Sequence, residues 1–195
     1  MIKRFFFKII RQYFQKIRIK IFAIHSDNIA NVEGRPIITQ PVLFLGKGKF
    51  IFQEKVQLGY FPSPFFYSGN IHLEARTPDS KIEFGTNVFI NNNFVAVSEK
   101  GIKIGNNALI GTNVEITDSD FHNINSSARF GGEHFVREVE LKNNVWLGSN
   151  VKILKGVTIG ENSVIANGSI VTVDIPANVI AGGIPAKVIK KIGDE

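Results

Sequence analysis

The chain has 195 residues and no cysteine, which fits one domain with a sizeable core and excludes disulfide staples, thiolate metal sites and a cysteine nucleophile. Its net charge of +6 is uneven: residues 1–22 hold seven basic groups (Lys3, Arg4, Lys8, Arg11, Lys16, Arg18, Lys20) and no acid. The remainder holds 16 basic and 17 acidic groups, so the body gives no argument for nucleic acid, and the missing cysteines fit a cytoplasmic compartment.

Residues 1–22, MIKRFFFKIIRQYFQKIRIKIF, predict a helix. Ile2, Phe6, Ile9, Ile10, Tyr13, Phe14, Ile17 and Ile21 fall on one side at about 100° per residue, with Arg4, Lys8, Arg11 and Arg18 on the other. Charges interrupt every apolar run, so neither a membrane span nor a standard signal peptide is expected. Two readings stay open. The helix lies on anionic lipid, giving a peripheral place on the inner face of a membrane, or it packs on the body or a partner subunit.

A polar connection follows at 23–41, ending in Pro36 and Pro41. Residues 42–58 read as two imperfect six-residue units. The stretch GYFPSPFFYSGN, 59–70, breaks that period with five aromatics and two prolines. It predicts a loop that packs on the helix or a neighbouring subunit, or that stacks on a sugar ring through Tyr60 and Tyr67. Six-residue units return at FGTNVF and INNNFV (84–95). An offset of two residues follows near Glu99–Lys103, and the units resume at IGNNAL and IGTNVE (104–115).

The period then stops. Residues 117–140, TDSDFHNINSSARFGGEHFVREVE, form no unit and hold two of the four histidines, His122 and His134. A long insertion in a repeat array tends to project from a functional face. The period returns most clearly at 141–174, with aliphatic openers Leu141, Leu147, Ile153, Ile159, Ile165 and Val171. Asn144, Asn150, Gly156, Asn162 and Gly168 follow three residues after their openers. Asn and Gly reach the left-handed region cheaply, so each unit is one short strand and one corner. Three units make one coil of a prism, whose interior is expected to be too narrow for large side chains. After Asp174, Pro176 and Pro185 end strands, and a short basic closing element caps the last coil. The chain thus divides into a basic amphipathic helix (1–24), a repeat domain (25–185) with loop 117–140 inserted, and a cap (186–195).

Residues 143–192, NNVWLGSNVKILKGVTIGENSVIANGSIVTVDIPANVIAGGIPAKVIKKI, resemble the hexapeptide-repeat acyltransferases. DSDFH and the AGGIPAKVIKK ending make the likeness closest to the sugar O-acetyltransferases. The resemblance implies an all-β, left-handed parallel β-helix that assembles as a homotrimer. It implies acetyl-CoA as acyl-donor substrate with no metal required, and a saccharide or sugar-nucleotide acceptor in surface polysaccharide or glycan assembly. By position in the loop, His122 matches the catalytic histidine of such proteins. A base near neutral pKa is what deprotonating a hydroxyl needs, and Asp118 or Asp120 is a candidate to fix its tautomer. The matching place for an oxyanion-holding backbone N–H is Gly148–Ser149. Trp146, Ser149, Asn167 and Thr172 match positions along the pantetheine arm, and Lys187 and Lys190 match its phosphates as point charges. Val173 departs from relatives that carry Lys there, with Lys191 a candidate replacement. Asn91 matches an acceptor-side asparagine, or is a plain corner residue.

Two other readings share the fold. One is an N-acetyltransferase of an amino-sugar nucleotide; the other is a non-catalytic β-helix scaffold without thioester turnover. A carbonic anhydrase of this fold needs three zinc histidines, and no His lies between His72 and His122 or after His134.

Overall fold

A computed structural model describes residues 2–193, excluding the side chains of residues 2–6, 8 and 9. The expected roles of Ile2, Phe6, Ile9, Arg4 and Lys8 on the helix surface, and the last two residues of the cap, therefore lie outside the described residues.

Helix α1 (Ile2–Ile24) leads into a prism of three sheets. Strands Val32–Glu33, Lys49–Phe52, Lys81–Phe84, Gly101–Ile104, Val139–Leu141 and Thr158–Ile159 stack in parallel to form the first face. The second face runs through Ile37–Ile38, Gln57–Leu58, Phe89–Ile90, Leu109–Ile110, Trp146–Leu147, Val164–Ile165 and Val179–Gly183. Strand Ala186–Lys191 closes it in antiparallel register. The third face holds Val42–Gly46, Ile71–Ala75, Val95–Ser98, Glu115–Thr117, Lys152–Ile153 and Ile170–Val171. This is the left-handed parallel β-helix.

The corners carry the expected backbone. Asn87, Asn93, Asn107, Asn113, Asn144, Asn150, Asn162, Gly156 and Gly168 all have positive φ. Their amides do more than turn the chain. Asn93 donates to Asn113 (2.7 Å), and Asn113 donates to Asn150 (2.8 Å). A second ladder joins Asn144 to Asn162 (2.9 Å) and Asn162 to Asn178 (2.8 Å). Each Asn corner thus hydrogen-bonds an Asn corner of a neighbouring coil, satisfying polar groups that a tight turn would otherwise strand.

The interior corrects one expectation. Its C-terminal coils hold Val, Ile, Leu and Ala, but its N-terminal coils bury Phe44, Phe50, Phe52, Phe84 and Phe94. Phe52 and Phe84 stack face to face at 4.6 Å between ring centres, and Phe44 meets Phe50 edge-on at 5.2 Å. Stacked and edge-on ring pairs are favourable aromatic contacts, and they fill the interior of these coils.

α1 packs on the body, with a mixed stripe inward. Gln15 is buried, and Arg11, Arg18, Ile19 and Phe22 are half-buried. The aromatic loop meets it. Arg11 lies 3.8 Å above the Phe61 ring, and Phe14 is 6.2 Å from Tyr67. The loop is pinned from below by Asn92, buried and donating to the carbonyls of Tyr60 (2.9 Å) and Pro64 (2.8 Å). Of the readings for 59–70, packing on the helix is the observed one.

Candidate active site

The insertion leaves the third face after Glu115–Thr117 and rejoins the first at Val139–Leu141. Its neck is fastened at several points. Asp120 N–H donates to the Phe135 carbonyl (3.1 Å), and Arg137 N–H donates to the Asp118 carbonyl (2.8 Å). Lys155 Nζ lies 2.6 Å from Asp120 Oδ1. Glu99, one coil below, accepts from Ser119 Oγ (2.5 Å) and pairs with His134 Nε2 (2.6 Å). Burial pushes the Glu99 carboxyl up. The hydrogen bonds from Ser119 and His134, with the charges of His134 and Arg76, outweigh this and hold it below its usual range. Phe121 turns the chain at φ 59° beneath the Arg76 guanidinium, 4.3 Å from its ring centre. Beyond this neck the tip is open to solvent, with Ile124 and Phe130 exposed.

His122 sits at the start of that open tip. Its Nδ1 lies 3.2 Å from the Arg129 carbonyl oxygen. A carbonyl can only accept, so the ring donates through Nδ1, and in the neutral ring Nε2 is the acceptor. The expectation that Asp118 or Asp120 fixes the tautomer is corrected by this contact, because both carboxylates are committed elsewhere. Asp120 pairs with Lys155. Asp118 is fully buried and accepts from Ser98 Oγ (2.7 Å) and from the backbone N–H groups of Glu99 (2.8 Å), Lys100 (2.9 Å) and Gly101 (2.7 Å). Those bonds hold the turn at 98–101, where the repeat is offset.

The other expected residues gather on the second face. Tyr60, Asn91 and Trp146 line one groove of about 230 Å³, together with Gln57, Phe89, Leu109 and Gly111. Asn91 is half-buried, and its side chain accepts from the Asn92 N–H (2.8 Å). Tyr67 is not among the groove's lining residues. Its ring packs against Phe61 and Phe66 in the loop under α1.

From Trp146 a single register line runs toward the C-terminus. Trp146 pairs with Val164, Val164 with Ile180, and Ile180 with Lys190. At about 4.8 Å per strand, Trp146 and Lys190 stand roughly 14 Å apart along that line. Lys187 lies on the same closing strand, and Asn167 and Thr172 are exposed near the last coils.

At the Gly148–Ser149 corner both N–H groups have partners within the chain. Gly148 N–H donates to the Ile165 carbonyl (2.8 Å), and Ser149 N–H donates to Asn167 Oδ1 (2.9 Å). The first is a ladder bond. The second is held by a side chain on the exposed surface.

Sequence reasoning missed Glu99, Arg76, Lys155 and the Arg129 carbonyl. The first had a readable signal: Glu99 precedes Ser119 by one coil of 20 residues, the spacing that also separates Asn93 from Asn113. Lys155 reaches Asp120 across the insertion, and no local pattern links them.

Two family profiles match the chain. "Hexapeptide repeat of succinyl-transferase" covers residues 84–118, and "Bacterial transferase hexapeptide (six repeats)" covers 138–172. They stop on either side of the insertion's tip. The galactoside O-acetyltransferase of Lactococcus lactis is 37% identical over 157 residues, spanning 80% of this chain and 72% of its own. That of Escherichia coli is 42% identical over 133 residues, and the match spans 68% of this chain but only 60% of the relative's length. Among solved structures, a galactoside acetyltransferase in complex with coenzyme A superposes with a TM-score of 0.56 at 30% identity, covering 94% of this chain and 81% of that one. A polySia-specific acetyltransferase gives a TM-score of 0.63 at 27% identity, covering 83% and 69%. On this likeness, and on the stacked six-residue units that carry it, the chain belongs to the hexapeptide-repeat acetyltransferase family.

Proposed function

We propose that the protein is an acetyl-CoA-dependent O-acetyltransferase acting on a saccharide hydroxyl, with His122 as general base. The observation that carries this reading is the His122 ring, exposed on the inserted loop and donating through Nδ1 to a backbone carbonyl. In that tautomer Nε2 can take the acceptor's hydroxyl proton as the oxygen attacks the thioester carbon. The tetrahedral oxyanion then collapses, the C–S bond breaks, and the proton passes from the ring to the thiolate. With no cysteine in the chain, direct attack without an acyl-enzyme is the simplest course. Relatives named for galactosides favour an oxygen acceptor over an amine.

The register line from Trp146 to Lys190 suits an extended, partly apolar arm ending in phosphates. Its outward side chains pass from aromatic through aliphatic to cationic. Lys187 lies on the same closing strand as its end. Oxyanion stabilisation falls to the Ser149 N–H once Asn167 releases it.

His122 and the groove stand on different parts of the prism, and the groove's lining residues do not include it. A neighbouring copy bringing its loop to this groove would complete the site. The homotrimer reading gains support from an exposed apolar ladder on the second face: Ile37, Phe89, Leu109 and Trp146 are 57, 41, 49 and 53% exposed. Such a ladder is suited to cover by another copy.

The test is release of free CoA from acetyl-CoA in the presence of galactosides, other oligosaccharides and sugar nucleotides. Turnover should depend on the saccharide and fall by about 10²–10⁴-fold in His122→Ala. Full activity in that variant removes His122 from the chemistry. Turnover confined to amino-sugar nucleotides replaces the hydroxyl acceptor with an amine.

A further inference from the structure

An amphipathic helix on a protein surface ordinarily turns its apolar stripe to the core. α1 turns a mixed stripe inward, with Arg11, Gln15 and Arg18 beside Ile19 and Phe22, and leaves a second, wider apolar stripe outside. The polar members bond the body: Gln15 Nε2 donates to the carbonyls of Thr39 (3.0 Å) and Phe66 (3.2 Å). Arg18 donates to the carbonyls of Phe66 (3.0 Å) and Gly69 (2.6 Å). Those bonds fix the rotation of the helix about its own axis. With that rotation set, Phe7, Ile10, Phe14, Ile17 and Ile21 are left exposed, at 66, 47, 49, 44 and 45%. Exposed Lys16 and Lys20 border this stripe on the side away from the body. At about 100° per residue, inward, apolar and lysine stripes share the helix circumference, the first two roughly 120° apart.

We propose that α1 is a docking surface for an anionic lipid bilayer, lying in the plane of the interface. Phe7, Ile10, Phe14, Ile17 and Ile21 would enter the acyl boundary while Lys16 and Lys20 meet the headgroups. Charge selects this occupant. Residues 1–22 carry cations and no acid; Arg11 and Arg18 face the body, so it is the exposed Lys16 and Lys20 that need an anionic counterpart. A second copy offers little: the body is near neutral, and Glu33, Glu74, Glu115 and Glu140 are already paired with the chain's own cations. No described helix is long and apolar enough to cross a membrane, so the contact is with a surface. This proposal stands apart from the acetyl-transfer reading and is tested without acetyl-CoA.

The full-length protein is sedimented with vesicles of phosphatidylcholine alone and of phosphatidylcholine mixed with phosphatidylglycerol. It should pellet with the mixed vesicles and be released by raised salt. Lys16→Glu/Lys20→Glu should weaken binding by at least about tenfold. Phe14→Glu/Ile17→Glu should abolish it with the melting temperature and oligomeric mass unchanged. Wild-type protein that stays in the supernatant overturns the proposal, and so does equal binding to neutral vesicles. A change of mass in light scattering for Phe14→Glu/Ile17→Glu also overturns it, since the stripe would then join copies of the chain. Should that variant not fold, the lipid and salt dependence of the wild type still decides the matter.

Discussion

Replacing Asp118 by alanine separates a structural carboxylate from a chemical one. Asp118 is fully buried and accepts four hydrogen bonds, one from Ser98 Oγ and three from successive backbone N–H groups. Removing it strips those donors of their acceptor. A buried donor left unsatisfied costs about 1–3 kcal/mol. The three backbone groups are only partly buried, so water recovers part of the loss, while the Ser98 hydroxyl is fully enclosed. The removed charge no longer has to be desolvated, which offsets some of the remainder. The net expectation is about 2–4 kcal/mol, or a melting temperature lower by roughly 5–15 °C for a chain of this size. The assay is circular dichroism melting at fixed protein concentration, beside CoA release measured well below the melt. At that temperature activity should fall only as far as folded protein is lost. A variant that melts with the wild type yet has lost turnover would refute this reasoning and return Asp118 to the chemistry.

Three further outcomes are expected. Glu99 is held below its usual value of 4.5, so its pairing contributes stability above that pH and loses it as the pH falls through the lowered value. Glu99→Gln should therefore flatten the acid limb of the melting profile, and an unchanged limb would dismiss the pairing with Ser119 and His134 as a stabilising contact. Phe84→Ala opens the 4.6 Å stack with Phe52 inside the prism and should cost about 3–5 kcal/mol by denaturant titration. Asn113 holds φ 57° and both accepts from and donates to neighbouring corners. Asn113→Ala should lose about 1–2 kcal/mol, and Asn113→Gly less, because glycine restores the backbone but not the ladder.

The coils were legible in sequence because the signal is local. An aliphatic opener followed by Asn144, Asn150 or Asn162 states strand and corner within six residues, and the positive φ values fall at those residues. Loop 117–140 was legible as a break in that period, and His122 falls within it. What escaped depends on contacts between coils. Asp118 and Asp120 looked alike beside His122, and only the turn at 98–101 and Lys155 assign them different partners. The rotation of α1 escaped for a related reason. Hydrophobicity ranks its faces by transfer energy, but Gln15 and Arg18 meet unpaired carbonyls at Phe66 and Gly69, and those bonds decide which face turns inward. The Phe-rich N-terminal coils escaped because ring pairing between coils, as at Phe52 and Phe84, is invisible in a residue list.

The Asn ladder crosses the insertion without a fault. Asn93 and Asn113 are 20 residues apart and Asn113 and Asn150 are 37 apart, yet their amide bonds measure 2.7 and 2.8 Å. Lengthening a closed loop from 20 to 37 residues adds only about 0.5 kcal/mol of closure entropy. The scaffold is thus nearly indifferent to what is spliced between Thr117 and Val139, provided the neck at Asp118, Ser119 and Asp120 is kept. Selection can rewrite residues 123–133 without spending the stability of the stack. On the proposed function, that makes them the segment to exchange when a new acceptor is wanted.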